Sequence, residues 1–133
     1  MKLAVLPCAA VLVSGCAGGH LYPVQGPLMS QTPPPVYQVK MDQGDAMTAR
    51  LAKGEVCHGS WLDVAQGDPT ARDMAAEWDL VYGKGFFLAN VLGNITIAHA
   101  ILTCPSDKTV HIEFNSVQGV AKDSNGNVYR LKF

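Results

Sequence analysis

Four cysteines and four histidines are the residues from which this chain could build a reactive centre. A cysteine nucleophile needs a base within hydrogen-bond reach and a third group to orient that base. Cys57 and His58 are adjacent, and neighbours on a strand point to opposite faces, so they cannot form such a pair with each other. Cys57 with His99 would still lack an orienting group. His99 falls on the same strand face as Ile95, Ile97 and Ile101 and is expected to be an interior histidine rather than a ligand. It stays a candidate, with Trp61, for lining a binding pocket. His111 alternates onto a polar face and is expected to be solvated, and His20 lies in a Pro/Gly-rich stretch. Metal-ligand spacing of the tight-cysteine-pair or His-x-Glu kind is absent, so no metal and no cofactor is expected. There is no Gly-x-Ser-x-Gly elbow and no phosphate loop. Asp63, Asp68, Asp73 and Asp79 flank or decorate one predicted helix, where capping and solvation account for them. Asp123-x-Asn125-x-Asn127 opens like a calcium loop, but Val128 stands where the loop's glycine belongs, so a turn is expected. Asn94-Ile95-Thr96 matches a glycosylation sequon by chance. No catalytic residue is assigned, and the chain is not expected to be an enzyme.

The elements that would position these residues are mostly strands. Val36 to Met41 alternates, with Tyr37, Val39 and Met41 on one face. Gly44-Asp45 turns the chain into a second strand carrying Met47, Ala49 and Leu51 on one side. Lys53-Gly54 leads to a third, Glu55 to Leu62, with Cys57 and Trp61 together. One helix is predicted next. Asp68 can cap it, Pro69 suits its first position, and Thr70 with Asp73 makes a weaker capping box. Ala71, Met74, Ala75, Trp78, Val81 and Tyr82 form a single apolar stripe, read as core packing. Gly83 ends the helix, and Gly83-Lys84-Gly85 is its exit. Phe86 to Val91 reads as a short apolar strand. Ile95 to Cys104 is apolar on both faces and suggests a central strand. Thr109 to Phe114 places Val110, Ile112 and Phe114 inward and His111 and Glu113 outward. Val117 to Lys122 and Val128 to Phe133 pair through Asn125-Gly126, with Tyr129, Leu131 and Phe133 inward. The expected fold is mainly β: a small antiparallel β-barrel or sandwich of about seven strands with one helix.

The amino terminus has a different character. Met1-Lys2 supplies one positive charge, and Leu3 to Val13 is an uncharged apolar run of signal-peptide length. It is shorter than the ~20 residues that a membrane-spanning helix needs. Val13-Ser14-Gly15-Cys16 closes it and resembles the lipobox of bacterial lipoproteins. That resemblance implies a diacylglyceryl group on the Cys16 sulfur, cleavage before Cys16 and a membrane partner for the lipid. Ala17 in the following position resembles the outer-membrane class, and the implied location is the cell envelope. The division is then 1–15 signal peptide, 16–35 lipidated end and Pro/Gly-rich linker, and 36–133 a single β-rich domain. Cys8 leaves with the signal, so Cys57 and Cys104 remain in an oxidising compartment, where a disulfide between them is expected. Two buried free thiols are the alternative.

Leu21-Tyr22-Pro23-Val24, Gly54-Glu55-x-Cys57-x-Gly59-x-Trp61 and Gly119-Val120-Ala121-Lys122-Asp123 resemble small proteobacterial lipoproteins of uncharacterised activity. These motifs are structural and imply a compartment, not a mechanism. The mature chain would carry eleven acidic against nine basic residues, so there is no basic footprint for nucleic acid. The expected role is a non-enzymatic structural or interaction module of the envelope, with an envelope protein as its partner. The alternatives are a small-ligand-binding barrel, with Trp61, Trp78, Phe86 and Phe87 as lining, and an inhibitor of an envelope-directed enzyme. The lipoproteins that block lysozyme are similar in size and in having a disulfide, but their inhibitory motif has no counterpart placed here.

Overall fold

The alternating apolar residues close into an eight-stranded antiparallel barrel in a computed structural model that describes residues 18–65 and 68–133. The strands are β1 (Gly18–Gln25), β2 (Tyr37–Met41), β3 (Ala46–Arg50), β4 (Val56–Ala65), β5 (Thr96–Thr103), β6 (Thr109–Phe114), β7 (Gln118–Asp123) and β8 (Val128–Lys132). Each pairs with its neighbour in sequence, and β1 also pairs with β8 to close the ring. The expectation of a mainly β barrel holds, with one strand more than the seven or so anticipated.

The additional strand is β1, drawn from residues expected to lie in the linker. Gly19, Leu21 and Pro23 point inward along it and are buried. Pro23 lacks the N–H that a regular ladder uses, which is why the stretch reads as linker. The register accommodates it with an irregularity: Pro23 sits opposite Tyr129 and Gln25 opposite Val128. The folded unit therefore begins by Gly18, not at residue 36.

Between β4 and β5 the chain makes three short helices, α1 (Pro69–Arg72), α2 (Ala75–Tyr82) and α3 (Phe86–Leu92). Asp68 caps α1 as expected, accepting the Thr70 N–H at 2.9 Å. The single predicted helix is broken between Arg72 and Ala75. There the Asp73 carbonyl accepts from Lys122 Nζ of β7 at 3.0 Å, and Met74 leaves helical geometry. The apolar stripe survives the break: Ala71, Met74, Trp78 and Val81 are all buried. Phe86 to Val91 is helical, not the expected strand. A short apolar run does not distinguish the two by period. Here Asp79 Oδ1 of α2 accepts the Phe87 N–H at 2.8 Å, satisfying a first-turn donor of α3.

Two apolar cores result. One fills the barrel with Leu21, Val39, Met47, Leu102, Ile112 and Leu131 among others. The other lies outside it, where Met74, Trp78 and Val81 cover Ile97, Val120 and Val128 of the wall. This outer layer explains why β5 is apolar on both faces. Ala98, Ala100 and Leu102 point into the barrel, while Ile97 and His99 point under the helices.

The barrel's two ends differ. At one, Leu28 of a 3₁₀ turn (Pro27–Ser30) packs on the interior and its N–H donates to Asn127 Oδ1 at 2.9 Å. Asp123 there accepts from the Tyr129 hydroxyl at 2.6 Å and from the Asn125 and Asn127 amides at 2.9 and 3.0 Å. The expected turn over Asp123-Ser124-Asn125-Gly126-Asn127 is thus also the hub of a buried network. The Cys57–Cys104 disulfide, as expected from the sequence, ties β4 to the exit of β5. The opposite end, where β2, β6 and β8 finish, is open.

Candidate binding cavity and a buried polar seam

The open end holds a cavity of about 970 Å³. Its lining includes Met41 at the end of β2, Trp61 of β4, Ala98 of β5, Phe114 at the end of β6, and Phe133 beyond β8. Trp61 meets Phe114 edge-on with ring centres 6.2 Å apart, and Phe114 meets Phe133 the same way at 5.6 Å. Asp63, Asn115 and Ser116 add polar groups to the lining, and so does Gly18, the first described residue. Trp61 Nε1–H is buried and has no hydrogen-bond acceptor among the described residues. Trp61 offers the chamber its ring and not this N–H, which is shut away from the cavity's open space. The Asp63 carboxylate also lines the chamber. Together these groups suit a largely apolar molecule.

Several apolar side chains at this end are exposed: Val117 at 69% of its surface, Phe133 at 43% and Ile95 at 38%. Leu92, just before the turn that enters β5, is 78% exposed. Large side chains of this kind are left in water at a cost that burial elsewhere would remove.

His99, the other candidate for the pocket, is not in it. Strand parity sends it through the wall to the outer seam beneath α2, opposite Glu113 in the β5–β6 register. Glu113 is fully buried, and Trp78 Nε1 donates to its Oε1 at 2.8 Å. Glu113 Oε2 lies 3.8 Å from His99 Nε2, too far for a hydrogen bond, and both atoms lack partners among the described residues. Burial pushes the Glu113 carboxyl up to about 8, with the Trp78 bond opposing. Burial also pushes His99 down, and neighbouring His111 adds to it. Both shifts favour the neutral forms, so near neutrality this is two buried neutral groups rather than an ion pair. His111, expected to be solvated, is half-buried, with its ring centre 6.4 Å from that of His99 and Nδ1 3.9 Å from Asp73 Oδ2. Lys122 bridges toward Glu77 at 3.8 Å.

Sequence reasoning placed Trp61 at the cavity and missed Phe114, Val117 and Phe133 as its companions. It also missed Glu113, which the alternation assigned to an outward and therefore wet face. The three other aromatics offered as lining, Trp78, Phe86 and Phe87, belong to the helix–wall core, where Trp78 and Phe86 stack with ring centres 5.7 Å apart. Glu55, Cys57 and Cys104 bring three possible metal-binding atoms together, but both sulfurs are already bonded to each other. Among the described residues no helix is long and apolar enough to cross a membrane. Cys16, the expected lipidation site, lies outside the described residues. Compared with known protein families, with curated proteins and with solved structures, the chain matches none.

Proposed function

We propose that this chain is a non-enzymatic, lipid-anchored envelope protein whose barrel is a binding module for a largely apolar ligand. The observation that carries the reading is the open cavity lined by Met41, Trp61, Phe114 and Phe133. A chamber of this size suits a small ligand, and its apolar wall with few polar groups is the usual composition of such sites. The non-enzymatic part rests on separation. Glu113 and His99, a carboxyl and an imidazole whose ionisation burial alters, lie under the helices and do not line the cavity. The anchor rests on Val13-Ser14-Gly15-Cys16.

Titration with a long-chain fatty acid tests the binding role through tryptophan emission. The expected result is a saturable change that Trp61→Phe abolishes. Emission that never saturates, or a change that persists in Trp61→Phe, overturns it.

A further inference from the structure

The cavity opens at the end of the barrel from which the anchor must leave. Gly18 begins β1 and lines the cavity. Cys16 is two residues earlier, and two residues of chain reach at most about 7 Å. A lipid on Cys16 would therefore enter the bilayer beside the mouth. The exposed Ile95, Val117 and Phe133 are also part of the lining. The opposite end is sealed by Leu28, the Asp123 network and the disulfide.

Resting on the anchored-binder reading, we propose that the barrel docks mouth-down on the membrane and that the occupant of the cavity is an acyl chain of a bilayer phospholipid. Val117, Phe133 and Ile95 then sit among the lipid tails, which removes apolar surface from water. An acyl chain standing up from the leaflet would meet Met41, Phe114 and the ring of Trp61. Asp63 in the lining, with Asp42 and Asp45 in and beside the β2–β3 turn at this end, sets the preferred surface. Carboxylates at a membrane contact repel anionic headgroups, so a zwitterionic lipid such as phosphatidylethanolamine is favoured over phosphatidylglycerol.

The test uses the full, lipidated chain in phosphatidylethanolamine vesicles whose acyl chains carry bromine, a short-range quencher of indole emission. The chain has two tryptophans, so the wild type and Trp61→Phe together separate them. At least two-fold quenching of the Trp61 contribution is expected, with Trp78, under the helices, hardly affected. Val117→Asp combined with Phe133→Ser changes two exposed positions and should remove the quenching while the anchor keeps the protein on the vesicle. Vesicle-bound protein with unquenched Trp61 overturns the proposal, including the case in which the protein's own lipid fills the cavity, since that lipid carries no bromine. If the full chain does not associate with vesicles at all, the anchor reading fails and the docking falls with it. If free fatty acid saturates Trp61 in solution while bilayer lipid never reaches it, the binding module stands and only the mouth-down docking is lost.

Discussion

The Trp78 indole N–H donates to Glu113 Oε1 at 2.8 Å, joining α2 to the barrel wall through a bond sealed from water. It satisfies one carboxyl oxygen and leaves the other unpaired beside His99. The seam between helices and barrel is therefore sensitive to the charge on Glu113.

The stability that Glu113 contributes should fall as pH rises from about 4.5, the ordinary value for glutamate, toward about 8, its value in the fold. In that window the unfolded chain has released the Glu113 proton and the folded chain still holds it, so the folded state loses ground by up to a few kcal/mol. His99 acts on the other flank. Its value in the fold is lowered, so its own contribution falls as pH drops below about 6.5 and opposes that of Glu113 there, which leaves the Glu113 loss to be read above about 6.5. Glu113→Gln keeps an acceptor for Trp78 and should abolish the alkaline loss while leaving the acid one. Denaturant midpoints from pH 5 to 9 measure this. An unchanged alkaline slope in the variant would show that Glu113 is not its source.

Replacing both Cys57 and Cys104 with alanine should lower stability by about 4 kcal/mol. The bond spans 47 residues of sequence, and releasing a loop of that length restores conformational freedom to the unfolded chain. Equilibrium unfolding measures the difference. Equal midpoints for variant and wild type would remove the disulfide from the account of stability.

At Gly59 an added Cβ would run into the Ile101 carbonyl oxygen on the paired strand. Backbone cannot step aside as a flexible side chain can, so Gly59→Ala should cost about 1–3 kcal/mol. Gly93→Ala is the comparison. Its nearest neighbour would lie at 3.4 Å, and a much smaller change is expected. Similar melting temperatures for the two variants would contradict the strand spacing described for β4 and β5.

Tyr129→Phe removes the hydroxyl that donates to Asp123 Oδ2, with a loss of about 1–2 kcal/mol. Asp123→Ala strands the Asn125 and Asn127 amides and the Tyr129 hydroxyl together and should cost more. Hydrogen exchange at those two amides should accelerate before exchange at the strands near the open mouth. Faster exchange at the mouth first would mean that the sealed end does not depend on this network.

Most of the strands β2 to β8 were legible because they alternate with period two between Gly, Asn or Asp turns, and β5 because it is an unbroken apolar run. Val110, Ile112 and Phe114 were placed inward from that period alone, and they are inward. The period says which residues share a face, not whether the outer face is wet. Glu113 and His111 were misjudged because helices from another part of the chain lie over them, whereas His99 is interior as expected. Phe86 to Val91 was misread because its helical form depends on Asp79, a cap from the preceding helix. The cavity was legible only through Trp61. Phe114, Val117 and Phe133 meet there because barrel closure brings the ends of β6 and β8 to one rim.

Closure through β1 has a further consequence. A ring has no edge strand, so no row of unpaired N–H and C=O groups is left to recruit another chain. A chain begun at residue 36 would lack β1 and leave β2 and β8 with bare flanks, each a template for a strand from a second molecule. The stretch that reads as a spacer is thus the piece that closes the ring, and trimming it would invite strand exchange or fibrous assembly.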